Sequence, residues 1–154
     1  MIEAQMTGGS AADQAAVLQA FADYLAANAV FDWDKLESNF SAAPDCVFFN
    51  LNGHTYKGRE HWTRLWRHLQ PRVKNGDWVP YDVGGTIADG LAVVWCERTT
   101  EYTWVAAEPL DAGRKPHRSY ISRSTMVFRK EADGWRVIHV HFSEASEGAR
   151  PGGV

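Results

Sequence analysis

Hydrophobic positions repeat at helical spacing in the first half of the chain and alternate in the second. Val17, Leu18, Phe21, Tyr24, Leu25 and Asn28 follow i, i+3/i+4, i+7 spacing, the mark of an amphipathic helix. Ser10 with Asp13 ahead of them resembles a capping box with Asp in place of Glu. Asp32 is placed to cap a second, shorter helix whose buried stripe is Trp33, Leu36 and Phe40, and Pro44-Asp45 ends it. Residues 46–51 read as a strand, Asn52-Gly53 as a turn, and Tyr56-Lys57 as a short return strand. Gly58 opens a third helix with Trp62, Leu65, Trp66 and Leu69 on one face, and Pro71 stops it.

The rest of the pattern is sheet. Residues 78–83 read as a strand, with Gly84-Gly85 permitting a bend or bulge. Asp89-Gly90 turns the chain, and residues 91–105 are long enough for one strand of a strongly curved sheet. Residues 108–116 hold two prolines, a glycine and several charges and read as a loop. Residues 118–129 and 135–143, joined by Glu131-Ala132-Asp133-Gly134, form an antiparallel hairpin. Strict alternation along its last strand puts Trp135, Val137, His139 and His141 on one face and Arg136, Ile138, Val140 and Phe142 on the other. Neither face is polar, so both are expected to be covered, one by helices and one by a second layer such as another subunit. The expected fold class is α+β: a cone-shaped α+β barrel, its curved antiparallel sheet wrapped around three helices from the N-terminal half and enclosing a pocket. A single domain is expected over residues 10–145, with residues 1–9 and 146–154 as flexible termini.

Composition narrows the reading. At 154 residues, 45% hydrophobic, with 7 Trp and 7 Phe, the chain has ample material for one core. A net charge of −3 provides neither a nucleic-acid footprint nor a polybasic membrane patch. No apolar run approaches the ~18 residues of a membrane span, and the N-terminus lacks the basic-then-apolar order of a secretory signal. Cys46 and Cys96 sit in apolar strand patterns and read as buried hydrophobes. A cytoplasmic setting is the expectation. The chain has no phosphate-binding glycine loop, no G-x-S-x-G elbow and no Cys-x-x-Cys, so no cofactor is expected.

The order of elements resembles the nuclear transport factor 2-like superfamily, including SnoaL-like polyketide cyclases and ketosteroid isomerase. The closing motif, Arg123-x-Thr125-x-Val127 followed by Asp133-Gly134-Trp135-Arg136-Val137-Ile138-His139-x-His141-x-Ser143, resembles the end of SnoaL-like domains. It is also similar to the association (hub) domain of calcium/calmodulin-dependent protein kinase II, as are Leu110-Asp111-Ala112-Gly113 and Arg98-x-Thr100-x-Tyr102. The hub resemblance implies a pocket lined by three arginines. Only Arg98 matches one of them, and the other two positions hold Met126 and Phe142. The isomerase resemblance implies a carboxylate base in the first strand, where this chain has Asn50, an amide that cannot take a proton at neutral pH.

Each candidate side chain has two readings. Arg98, on a strand face with Val94, Cys96, Thr100, Tyr102 and Trp104, is either an internal ion-pair partner or a clamp for a carboxylate or other anion. His139 and His141 share a face, but no third or fourth metal ligand stands beside them, so no metal site is expected. Arg123 is expected to pair with Glu97 or Glu101. Trp62 is core or pocket wall, and Tyr24 presents its hydroxyl to the cavity or to solvent. The resulting expectation is a ligand site of Arg98, Tyr24, Asn50, Trp62, Tyr102 and Phe142. It would take an apolar small molecule with one polar or acidic group, a cofactor-free isomerase, cyclase or lyase reaction being one use of it. The alternative is a stand-alone oligomerisation module without catalysis. Either way the expected assembly is a homodimer through the sheet, or a larger ring, with no nucleic acid and no membrane as partner.

Overall fold

The computed structural model describes residues 2–110 and 114–152. Its order is β1 (Gln5–Gly8), α1 (Ala11–Val30), α2 (Trp33–Leu36) running into a 3-10 turn (Glu37–Asn39), β2 (Val47–Phe49), β3 (Thr55–Lys57), α3 (Gly58–Leu69), β4 (Val73–Asn75), β5 (Pro80–Ala88), β6 (Leu91–Trp104), β7 (His117–Glu131) and β8 (Gly134–Glu144). One eight-stranded sheet runs β1-β5-β6-β7-β8-β2-β3, with β4 paired to β6 beyond the start of β5. Its long central strands β5 to β8 are antiparallel, as the hairpin pattern requires. The edges differ from the expectation of a purely antiparallel sheet, because β1 pairs in parallel with β5 and β2 in parallel with β8. The sheet curls into a cone without closing, and the three helices lie on its concave side, an α+β arrangement.

The helices form where the spacing places them. Ser10 caps α1, its hydroxyl accepting from the Asp13 N–H at 3.1 Å, and Phe31 ends the helix in a left-handed conformation with φ of 52°. Of the predicted stripe, Val17, Phe21, Tyr24, Leu25 and Asn28 are buried and Leu18 is half-buried at its edge. Trp33, Leu36 and Phe40 are buried as well, as are Trp62 and Trp66 of α3. These aromatics meet the concave face through edge and tilted contacts, such as Phe40 on Phe48 at 5.4 Å and Phe48 on Trp62 at 5.2 Å.

Three features depart from the sequence pattern. The alternation in β8 breaks: Val127 pairs with His139 but Phe128 pairs with Val137, so Ile138 is an extra residue. Trp135 and Val137 therefore share the concave, buried face with Val140 and Phe142, and His139 and His141 point to the convex face. The expected grouping of Trp135, Val137, His139 and His141 is thus split by the bulge. The second departure is β1. Residues 5–8 were expected to be frayed, yet they add a strand through register Gln5↔Gly84 to Gly8↔Ile87. At the other end, residues 145–152 carry no helix or strand. The third is β5, which starts two residues late and carries its irregularity between Tyr81 and Gly84, just ahead of the glycine pair. Gly84 is needed there because a Cβ would lie 2.7 Å from the Trp95 indole nitrogen.

Arg123 lies opposite Glu97 in the register but makes its hydrogen bond to the Glu144 carbonyl at 3.2 Å. Glu97 instead accepts from the Tyr81 hydroxyl at 3.1 Å. No helix among the described residues is long and apolar enough to cross a membrane.

Candidate functional site

The cone encloses a cavity of about 270 Å3 between the sheet and helices α1 and α3. Strand alternation supplies one wall: Thr100, Tyr102 and Trp104 come from β6, Arg118 and Tyr120 from β7, and Phe142 and Glu144 from β8. The helices supply the other, with Tyr24 and Asn28 from α1 and Trp62, Leu65, Trp66 and Leu69 from α3. Asn50, Leu51 and Asn52 close one side from the turn after β2, and Asn75 and Trp78 reach in from β4 and the segment after it.

Five of the six expected site residues, Tyr24, Asn50, Trp62, Tyr102 and Phe142, line this one cavity. Arg98 projects to the same concave side but stands one layer behind the lining. It is fully buried, with its guanidinium 4.4 Å from the Trp78 ring, 4.5 Å from the Phe142 ring and 5.9 Å from the Tyr24 ring, all three of which face the cavity. Its Nε donates to Ser122 Oγ at 3.0 Å, and that hydroxyl in turn shares a hydrogen bond with Thr100 Oγ1 at 2.7 Å. Nη1 and Nη2 make no hydrogen bond of good geometry among the described residues, although the Tyr24 hydroxyl lies near enough to the guanidinium to be drawn down by it, and no carboxylate forms an ion pair with them. The internal salt bridge that would have been the structural reading of Arg98 is therefore not made among the described residues.

Three further buried donors belong to lining residues. Asn28 Nδ2, Trp62 Nε1 and Trp78 Nε1 are buried without an acceptor among the described residues. A cavity bounded by aromatic rings, with the Arg98 charge buried behind them, is complementary to an apolar body carrying an acceptor group. Asn75 differs, since its side chain donates to the Asn28 carbonyl at 2.6 Å and ties β4 to α1.

The charged groups of the lining are engaged at the far ends of β7 and β8. Arg118 holds Glu144 through two hydrogen bonds, 2.8 and 2.9 Å, and lies 4.4 Å over the Tyr120 ring. The hydrogen bonds from Arg118 hold the Glu144 carboxyl below the usual range. Burial, helped by the Glu144 charge, pushes the Tyr120 hydroxyl up to about 12. Burial also pushes the Tyr24 hydroxyl up, against the opposing pull of the Arg98 charge. Both tyrosines are thus neutral donors at physiological pH. None of the chain's six histidines is among the lining residues. His139 donates through Nδ1 to the Val47 carbonyl at 2.6 Å on the convex side, where Phe49 meets it and His141 edge-on at 5.1 and 5.6 Å. No group of three or more His, Cys, Asp or Glu among the described residues is arranged to hold a metal ion.

Sequence reasoning missed Asn28, Trp78, Arg118, Tyr120 and Glu144. For Arg118 and Tyr120 the signal was present: they continue the concave face of Ser122, Ser124, Met126 and Phe128. Trp78 was read as the first residue of a strand over 78–83, but residues 76–79 belong to no strand and leave its ring free to turn to the cavity. Of the hub-like run Leu110-Asp111-Ala112-Gly113, Leu110 lines the cavity and the other three lie outside the described residues.

Comparison with known proteins follows the same geometry. The family model described as the SnoaL-like domain matches residues 17–147. No curated protein sequence matches the chain. Among solved structures, a ketosteroid isomerase-like protein from Erwinia carotovora atroseptica superposes with TM-score 0.71 at 16% identity, over 89% of this chain and 99% of that one. A candidate dehydratase of the nuclear transport factor 2-like family from Streptomyces avermitilis gives 0.70 at 19% identity, with coverage of 89% and 99%. A candidate calcium/calmodulin-dependent kinase II association domain from Exiguobacterium sibiricum gives 0.69 at 13% identity, with coverage of 92% and 98%. At these identities the likeness is one of fold.

Proposed function

The chain belongs to the SnoaL-like domain family, and from that premise we propose that it is a small-molecule-binding protein whose cavity takes a compact apolar ligand bearing an acidic or carbonyl acceptor. The observation that carries this reading is the pair of unpartnered guanidinium nitrogens of Arg98, buried behind the cavity wall with no anion to neutralise them. An uncompensated buried charge is costly and persists where something else requires it. The aromatic wall suits the ligand body.

Binding is favoured over acid–base turnover. The one carboxylate in the lining, Glu144, is held ionised and occupied by Arg118, and the Tyr24 and Tyr120 hydroxyls are protonated. None of these three groups is thus poised near neutral pH to shuttle a proton. The neighbours named as a dehydratase and as ketosteroid isomerase-like keep an isomerase, cyclase or lyase reaction as the second reading. The chemistry open to this cavity is polarisation of a carbonyl by neutral and cationic donors. A homodimer through the convex face is part of the same proposal. Trp95, Thr125, His141 and Phe49 lie side by side in the register there, with Trp95 46% and Phe49 40% exposed.

Native mass spectrometry of the purified protein tests the binding reading, followed by release and identification of any retained molecule. A retained compound with a carboxylate or carbonyl on an apolar frame is expected. Retention of a cation or of a purely hydrocarbon compound contradicts it.

A further inference from the structure

One of the rings between this cavity and Arg98 comes from a segment without regular structure. Trp78 lies on residues 76–79, which belong to no strand. The segment is pinned on both sides. Gly76 N–H donates to the Glu101 carbonyl at 2.9 Å, and the Val79 carbonyl accepts from the Thr99 N–H at 3.0 Å. Gly76 is pressed so close to β6 that a Cβ would lie 2.8 Å from a Glu101 carboxylate oxygen. Between these anchors neither Asp77 nor Trp78 makes a backbone hydrogen bond among the described residues. The indole lines the cavity on one side and covers the Arg98 guanidinium on the other, at 4.4 Å. Its own Nε1 is buried and unpaired, so no described hydrogen bond holds the ring in that position.

We propose that Trp78 is the specificity-determining gate of the cavity: its ring covers the guanidinium of Arg98, and a ligand's acceptor reaches Nη1 and Nη2 only when the ring leaves. The inference rests on the proposed binding function and adds how the site selects its ligand. The ring–cation contact satisfies the charge only in part, because it makes no hydrogen bond to Nη1 or Nη2. A carboxylate replaces that contact with charge-assisted, bidentate hydrogen bonds and gains by displacing the ring. A neutral alcohol or hydrocarbon of the same shape has nothing comparable to offer and leaves the gate shut. The pocket is therefore broad for apolar bodies and discriminating for acids. Phe142, a second covering ring, sits within the paired strand β8 and is held in place by it.

Phenylglyoxal, which modifies exposed guanidinium groups, reads the gate without a natural ligand. Arg98 labelling is followed by peptide mass spectrometry in the folded protein, with the exposed Arg64 as internal reference. In the wild type Arg98 is expected to label slowly. In Trp78→Ala the rate should rise by about tenfold or more, because labelling scales with the fraction of molecules in which the guanidinium is open. Trp78→Phe, which restores a flat ring, should return it to near the wild-type rate. Trp78→Leu serves in place of the alanine variant should that one fail to fold. Unchanged Arg98 labelling in folded Trp78→Ala or Trp78→Leu overturns the gate. Benzoate added to the open variant separates the two ideas. Suppression of labelling supports both. Rapid labelling that benzoate leaves untouched keeps the gate and refutes the acid-binding reading.

Discussion

Replacing Arg98 with Met should leave the protein about as stable as it is or slightly more so. Arg98 is the one charged residue in the buried core among the described residues, and it has no ion-pair partner there. Burying such a charge uncompensated costs about 3–5 kcal/mol. Against this stand the hydrogen bond to Ser122, about 1 kcal/mol, and the ring contacts with Trp78 and Phe142, about 1–2 kcal/mol each when desolvated. Methionine matches much of the side-chain length and recovers about 0.3–1.5 kcal/mol through sulfur–ring contacts. Ser122 keeps Thr100 as partner, so no hydroxyl is orphaned. At their midpoints these terms leave the variant about 1 kcal/mol more stable, with extremes from about −2 to about +3.5 kcal/mol. For a chain of this size a gain of about 1 kcal/mol is a rise of about 2–4 °C in melting temperature. Urea unfolding followed by circular dichroism measures it, comparing midpoints at equal slope. A loss above about 2 kcal/mol refutes the reasoning, since values of that size mark a broken structural interaction. Arg98 would then be part of the scaffold and the site assignment would fail.

Two further outcomes follow from other parts of the molecule. Hydrogen bonds from Lys130 and Ser10 draw Asp13 down from 3.8 to about 2. Its folded value is depressed, so its contribution to stability is present above pH 3.8 and is lost as pH falls towards 2. Lys130→Met should move the Asp13 midpoint up towards 3.8 in a carboxyl NMR titration, and an unmoved midpoint would assign the shift to the Ser10 and Trp135 donors instead. On the convex face, Trp95→Glu should convert the proposed dimer to a monomer by light scattering. A dimer that survives the substitution places the interface elsewhere.

Much of the architecture was legible because it rests on local periodicity. The stripe Val17, Phe21, Tyr24, Leu25, Asn28 packs as spaced, and the Asp133-Gly134 turn joins the two strands it flanks. What was missed depends on partners distant in sequence. Residues 5–8 have no alternation worth reading and become a strand only because β5 offers a parallel edge some eighty residues later. The bulge at Ile138 is equally non-local. The free edge of β8 must serve two segments, with Ser41 N–H donating to the Val137 carbonyl at 2.9 Å and β2 pairing from His139 onward. One inserted residue lets Val137 and Val140 both face the core. At the site, alternation correctly sent Arg98 to the concave side with Tyr102. It could not show that Trp78, read as the start of a strand, would lie across the guanidinium, nor that Asn28, Trp62, Trp78 and Arg98 would leave buried N–H donors unpaired among the described residues.

The most direct test of acid recognition at Arg98 is calorimetric titration of the wild type and Arg98→Met with a matched pair, phenylacetate and 2-phenylethanol. A charge-assisted hydrogen bond contributes about 1.5–3 kcal/mol, so the wild type should favour the acid by about 10- to 100-fold. Arg98→Met should lose that preference while still binding the alcohol as the wild type does. Equal affinity of both proteins for phenylacetate would contradict the account.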